Sequence, residues 1–168
     1  MPLTPFHIGP HSFVSLSLNR WLDVPIFVGV SVAIDLEPLL VTTFNLNYPL
    51  HGYFHTLLMG GLVGLLMATA MYPLRHLAGK VLKLFRLPYA PTFIKMLLSG
   101  VLGAWMHVLL DAPLYADIRP FYPWQANPLY ECISMQAVYW ICAACFILAG
   151  IPYFVVVFRA KRENAAAG

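Results

Sequence analysis

Charge is what this chain lacks. Ten of its 168 residues are Lys or Arg and seven are Asp or Glu, 10% together, against 60% in the AVILMFWYC set. A soluble domain is about 45–50% apolar and about 25% charged. There is too little charged side chain here to cover a globule in water, and too much apolar side chain to leave the chain disordered. Cysteine is scarce as well. Cys132, Cys142 and Cys145 are an odd number with no second Cys pair or nearby His, so neither a complete disulfide framework nor a zinc knuckle is implied. Cys142 and Cys145 fall inside an apolar stretch, where a free thiol packs as a small hydrophobe. A secretory signal is not expected: no basic segment precedes the first apolar residues, and Pro5, His7, Pro10 and His11 interrupt the place where its apolar part would run. The net charge of +3 is spread beside apolar runs rather than along a polar face, and no nucleic-acid partner is expected.

What the chain has instead is long apolar runs. Val24 to Phe44, Tyr53 to Tyr72, Phe93 to Tyr115 and Ser134 to Phe158 are each about 20 residues or slightly more, about 30 Å of helix, the thickness of a bilayer core. A shorter and more polar segment, Phe6 to Leu22, spans, re-enters or lies at the interface; Pro10 suits its first turn. Prolines mark the breaks, at 49, 73, 88, 91, 113, 120, 123 and 128. The expected fold is all-α: a polytopic membrane helix bundle of four long transmembrane helices and a short N-terminal helix, one integral membrane domain over residues 1–168, with the lipid bilayer as its first partner.

Lys and Arg orient such a bundle. Arg20, Arg75, Lys80, Lys83, Arg86, Lys95, Arg159, Lys161 and Arg162 all fall on one side of an up-and-down arrangement, and only Arg119 falls on the other. The basic side, and with it the C-terminus, is expected in the cytoplasm. The acids Asp35, Glu37, Asp111, Asp117 and Glu131 lie at or point to the opposite end.

The few polar residues inside the runs gather at that opposite end. Titratable groups in a membrane are costly and usually functional. His107-Val-Leu-Leu-Asp111 closes the third run, His51-Gly-Tyr-Phe-His55 opens the second, and Asp35-Leu-Glu37-Pro38 lies in the outer half of the first. Residues four apart share a helix face, so His107 and Asp111 can grip one object together. His51 and His55 can do so if their helix starts early enough. Each motif alone is equally an interfacial pair; three on one leaflet point to a metal. Neutral imidazoles with carboxylates suit Zn²⁺ first, with Mn²⁺ or Fe²⁺ as alternatives. An incomplete ligand set leaves room for water, whose pKa a metal lowers to about 7. Asp35 and Glu37 point about 200° apart on a regular helix. Pro38 is expected to kink or unwind that turn. Asp35 is then a ligand or the partner of a ligating His. Glu37 is a general base, a second ligand or simply an acid near the interface.

The order of Met1-Pro-Leu-Thr-Pro-Phe-His-Ile-Gly-Pro10, Ile34-Asp-Leu-Glu-Pro-Leu39, Pro49-Leu-His-Gly-Tyr-Phe-His-Thr-Leu57 and His107-Val-Leu-Leu-Asp111 resembles the bacterial and archaeal inner-membrane proteins described as membrane-bound metal-dependent hydrolases, the LexA-binding inner-membrane-associated hydrolase family, themselves distantly similar to zinc-dependent phospholipase C. The resemblance covers roughly residues 1 to 125 and leaves out the final helix. It implies that His7, Asp35, His51, His55, His107 and Asp111 belong to the metal site. His11 is a second N-terminal ligand or interfacial, and His76 lies in the cytoplasmic connection and is excluded. The family's usual second motif is one residue longer and carries an Arg after its first His. Arg119 is the candidate to replace that Arg as a phosphate contact, or it pairs with Asp117 or a headgroup. The reading that follows is a hydrolase: His55, His107 and Asp111 hold the metal, His7, His51 and Asp35 complete or support them, Glu37 takes a proton, and Arg119 steadies charge on an amphipathic substrate, a phosphoester or lipid. The alternatives are a protein that conducts or senses divalent ions or protons, and a regulatory membrane protein without activity.

Overall fold

A computed structural model describes residues 5–166 of the chain. It is all-α in the described residues: α1 (Pro5–Ser17), α2 (Val24–Thr43), a single 3₁₀ turn (Tyr53–His55), α3 (Leu57–Met71), α4 (Arg75–Leu84), α5 (Phe93–Asp111), α6 (Met135–Leu148) and α7 (Gly150–Ala166). Side-chain caps set several of the starts. Asp23 accepts the N–H of Ile26 at 3.1 Å, Thr56 that of Met59 at 3.1 Å, Thr92 that of Lys95 at 3.2 Å and Ser134 that of Ala137 at 3.2 Å. Each satisfies a donor that has no partner within its own helix.

Three spans are long and apolar enough to cross a membrane: α2, α5 and the stretch Met135–Glu163 made by α6 and α7. The second apolar run counts as a fourth only if α3 and α4 are taken together, and these meet at 87°. The expected helix from Tyr53 is shortened because the 3₁₀ turn and the Thr56 cap use up its first residues. The third run ends as helix at Asp111 rather than Tyr115, two residues before Pro113. The fourth is interrupted at Ala149. The basic connection after Pro73 contains α4, which buries none of its residues and leaves Leu77, Val81 and Leu84 exposed. α1 has 13 residues, about 20 Å of helix, too short to span alone. Pro10 lies inside it rather than in its first turn.

The bundle is organised around α5. The Asp23 N–H donates to Ser99 Oγ, and Ser31 bonds His107, both pairs 76 residues apart, so α2 runs parallel to α5. α3 runs antiparallel to it, with Trp105 Nε1 donating to the Leu57 carbonyl at 2.8 Å. Their backbones touch: a Cβ on Gly64 would lie 2.2 Å from the Gly100 carbonyl oxygen, and the converse distance is also 2.2 Å. Small residues allow this approach, and in lipid such packing replaces the hydrophobic drive. Val30, Ile34, Ala104 and Val108 form the fully buried centre, with Phe54 and Leu57 against it. Leu58, Leu62, Leu66, Leu98 and Leu102 on the outer faces are exposed, as lipid-facing residues should be. α1 lies against α2, α5 and α6. The C-terminal ends of α2 and α5 and the N-terminal ends of α1 and α3 therefore meet at one end of the bundle. All Lys and Arg except Arg119 gather at the other.

Candidate metal centre

Four buried side chains converge where those helix ends meet. Asp35 of α2, His55 of the 3₁₀ turn, and His107 and Asp111 of α5 each present one donor atom, and these atoms lie within 4.8 Å of one another. His107 Nε2 is 3.4 Å from Asp35 Oδ1 and 3.3 Å from Asp111 Oδ2, and His55 Nε2 is 3.9 Å from the same Asp111 oxygen. Tetrahedral ligands at about 2.0–2.1 Å from an ion stand about 3.3 Å from each other. The two separations at His107 match that spacing, and the one at His55 is wider. His55 Nε2 and His107 Nε2 are fully buried and have no hydrogen-bond partner among the described residues, a costly arrangement unless something occupies the space between them.

The far nitrogens of both rings are held. His55 Nδ1 donates to Glu37 Oε2 at 3.0 Å. A carboxylate only accepts, so the Nδ1 carries the proton and Nε2 presents its lone pair inward. His107 Nδ1 bonds Ser31 Oγ at 3.0 Å, and donation there leaves Nε2 bare in the same way. Metal-ligating histidines are oriented by partners of this kind. The donor set therefore fits a divalent ion.

Glu37 is placed behind His55 rather than facing the four donors. Besides the His55 ring, it accepts the Phe54 N–H at 3.2 Å and the Tyr48 hydroxyl at 3.3 Å. The carboxylate expected as a general base is thus occupied as an acceptor on the outer side of a ring. The divergence of Asp35 and Glu37 is used: one reaches α5, the other the 3₁₀ turn. The unwinding expected at Pro38 is absent, and α2 runs on to Thr43.

His51 does not share a helix face with His55, because the chain from Pro49 to Gly52 is non-helical. Its Nδ1 is 3.0 Å from Asp117 Oδ1 and its backbone N–H donates to Asp117 Oδ2 at 3.1 Å. Its ring stacks on Tyr115, with centroids 4.2 Å apart, and meets the His55 ring edge-on at 4.7 Å. Burial pushes the Asp117 carboxyl up, but the bonds from the His51 ring and backbone outweigh it and hold the group below its ordinary value. His7 stands on the other oxygen of Asp111, its Nε2 3.3 Å from Oδ1, with its ring edge-on to His107 at 4.6 Å. It is beside the four-donor group and not within it. His11, expected as a ligand or an interfacial residue, is a buried fastener: its nitrogens face the carbonyls of His7 at 2.7 Å and Gly103 at 3.0 Å, tying α1 to α5.

Arg119 is exposed and bonds Gln125. It lines a cavity of about 410 Å³ with Tyr48, His51, Tyr53, Asp117 and Tyr122. His51 is in the wall of that cavity and against His55, so it separates the cavity from the buried donors. Sequence reasoning missed Ser31 and gave Asp117 no part in the site. Ser31 was within reach of inference, since it precedes Asp35 by one helical turn; the Asp117–His51 pair crosses 66 residues and leaves no local signal.

The chain finds no match among protein-family models, curated proteins or solved structures. The site accordingly stands on its geometry alone.

Proposed function

We propose that the protein is a membrane-embedded, metal-dependent hydrolase whose site lies beneath the outer surface of an inner membrane, with the basic helix ends in the cytoplasm. The observation that carries this reading is the pair of buried, unpartnered Nε2 atoms facing Asp35 and Asp111, each ring held from behind. His55, His107, Asp111 and Asp35 would hold Zn²⁺, or Mn²⁺ or Fe²⁺. Such an ion supplies a Lewis acid that acidifies water and polarises a substrate oxygen. Glu37 and Ser31 fix the ring orientations. His7 lies beside the second oxygen of Asp111, 3.3 Å from it. His51, oriented by Asp117 and lying between cavity and site, is placed to accept a proton, the arrangement in which a carboxylate sets the tautomer of a histidine base. Arg119, in the cavity wall, receives the anionic part of an amphipathic substrate, a phosphoester or lipid, at the level where headgroups lie.

Ion conduction is the competing reading and needs polar groups through both leaflets. Towards the basic end Ser99 donates to the Lys95 carbonyl at 2.8 Å and receives the Asp23 N–H at 2.6 Å, while Asp23 Oδ2 and the Tyr89 hydroxyl are buried without a hydrogen-bond partner among the described residues; between that level and the four donors the buried residues of α2 and α5 include the apolar Ile26, Phe27, Val30 and Ala104. This favours a one-sided site. The test is reconstitution of the full chain in liposomes, with turnover measured on phosphodiester, phosphomonoester and carboxylester lipids before and after a chelator. Chelator-sensitive hydrolysis lost in His107→Ala supports the proposal. Divalent-ion flux into the liposomes without hydrolysis would replace it with the conducting reading.

A further inference from the structure

At the end of the bundle away from the metal centre, α1 stops at Ser17 while α7 continues to Ala166. Beyond that point α7 meets the connection after α4, where the Tyr153 hydroxyl donates to the Phe85 carbonyl at 3.0 Å, while Ile151, Val155 and Arg159 stay exposed. The result is an open groove of about 430 Å³ between α1 and α7, walled by Phe13, Leu16, Ile151 and Val155, with Asn19 and Arg159 lining it as well.

Its chemistry is sorted by position. The walls are apolar, and Ile151 is 61% and Val155 42% exposed, so they meet lipid rather than protein. Asn19 and Arg159 belong to the basic end. The Asn19 carbonyl also receives Lys95 Nζ at 2.6 Å, and Arg20 follows it in the chain. Arg159 is exposed and makes no ion pair among the described residues. A cation at the end of an apolar slot between membrane helices, on the leaflet where basic residues collect, complements a lipid with a negative headgroup.

We propose that this groove binds one anionic phospholipid, with its phosphate on Arg159 and an acyl chain along Phe13, Leu16, Ile151 and Val155. The site is separate from the metal centre and does not depend on the hydrolase reading. It would hold α1, which carries His7, against α6 and α7.

The test uses the full chain in phosphatidylcholine vesicles with spin-labelled phosphatidylglycerol or spin-labelled phosphatidylcholine of the same chain length, and reads the immobilised fraction. One basic contact near the surface corresponds to about a fivefold preference for the anionic lipid. Arg159→Gln is expected to bring the two lipids to parity. Val155→Trp, which fills the slot and leaves the charge, is expected to abolish the excess of immobilised anionic lipid at an unchanged thermal midpoint. Lys83→Gln, on α4, is expected to leave the preference intact. Equal binding of both lipids by the native chain overturns the proposal. So does an equal loss in Lys83→Gln, which would mean a diffuse field rather than a site, and so does cross-linking of two copies through α7 as the lipid is displaced.

Discussion

Replacing Glu37 by Gln separates two roles that the sequence left open, and the structure names the bonds at stake. The carboxylate receives three donors: the His55 Nδ1–H, the Phe54 N–H and the Tyr48 hydroxyl. Gln offers one accepting oxygen and one donating NH₂ in nearly the same volume. At least one of the three donors then faces another donor. If that donor is the His55 ring, its proton shifts to Nε2 and blocks the lone pair that faces Asp111. Loss of such an orienting partner typically costs about 10–100-fold in metal affinity, which agrees with the roughly 1.5–3 kcal/mol assigned to a hydrogen bond to a charged group. Zn²⁺ affinity of Glu37→Gln, measured by competition with a chromophoric chelator in detergent, should therefore fall by about that factor. Ser31→Ala should move it in the same direction through His107. An affinity unchanged in Glu37→Gln, with activity lost, would return Glu37 to the role of general base and refute this account of His55.

Asp117→Asn should leave metal content near native and lower turnover by about 10²–10⁴-fold, the usual worth of general acid–base help; loss of metal instead would make His51 a ligand. Gly100→Ala puts a Cβ against the Gly64 carbonyl at 2.2 Å, and the thermal midpoint should drop by the equivalent of about 3 kcal/mol, the upper end of ordinary overpacking. A C-terminal reporter active only in the cytoplasm should report activity, because Arg159, Lys161 and Arg162 follow the last span; activity only of an exported reporter would invert the topology.

The membrane class and most of the spans were legible because apolar run length and proline breaks are local properties. His107 and Asp111 were legible for the same reason, since four residues on one regular helix fix a shared face. The second motif was not. His51 and His55 have the same spacing, but the Thr56 cap delays α3, and the two rings are placed by a turn and by Asp117. Glu37 was recognised as a candidate for the site, yet which side of His55 it would approach depends on how α2 packs against the 3₁₀ turn. Arg119 stood out as the one basic residue at the site's end, and its position in the cavity wall follows from the irregular segment after Asp111, where no periodicity constrains the backbone.

Whether Asp35, His55, His107 and Asp111 hold one divalent ion is decided by elemental analysis of the detergent-purified full chain. The account predicts about one equivalent of a single transition metal per chain in the native protein. In His107→Ala, at an unchanged helical circular-dichroism signal, it predicts metal near background. A native protein free of stoichiometric metal after purification in its presence, or a His107→Ala variant that retains the full equivalent, would contradict it.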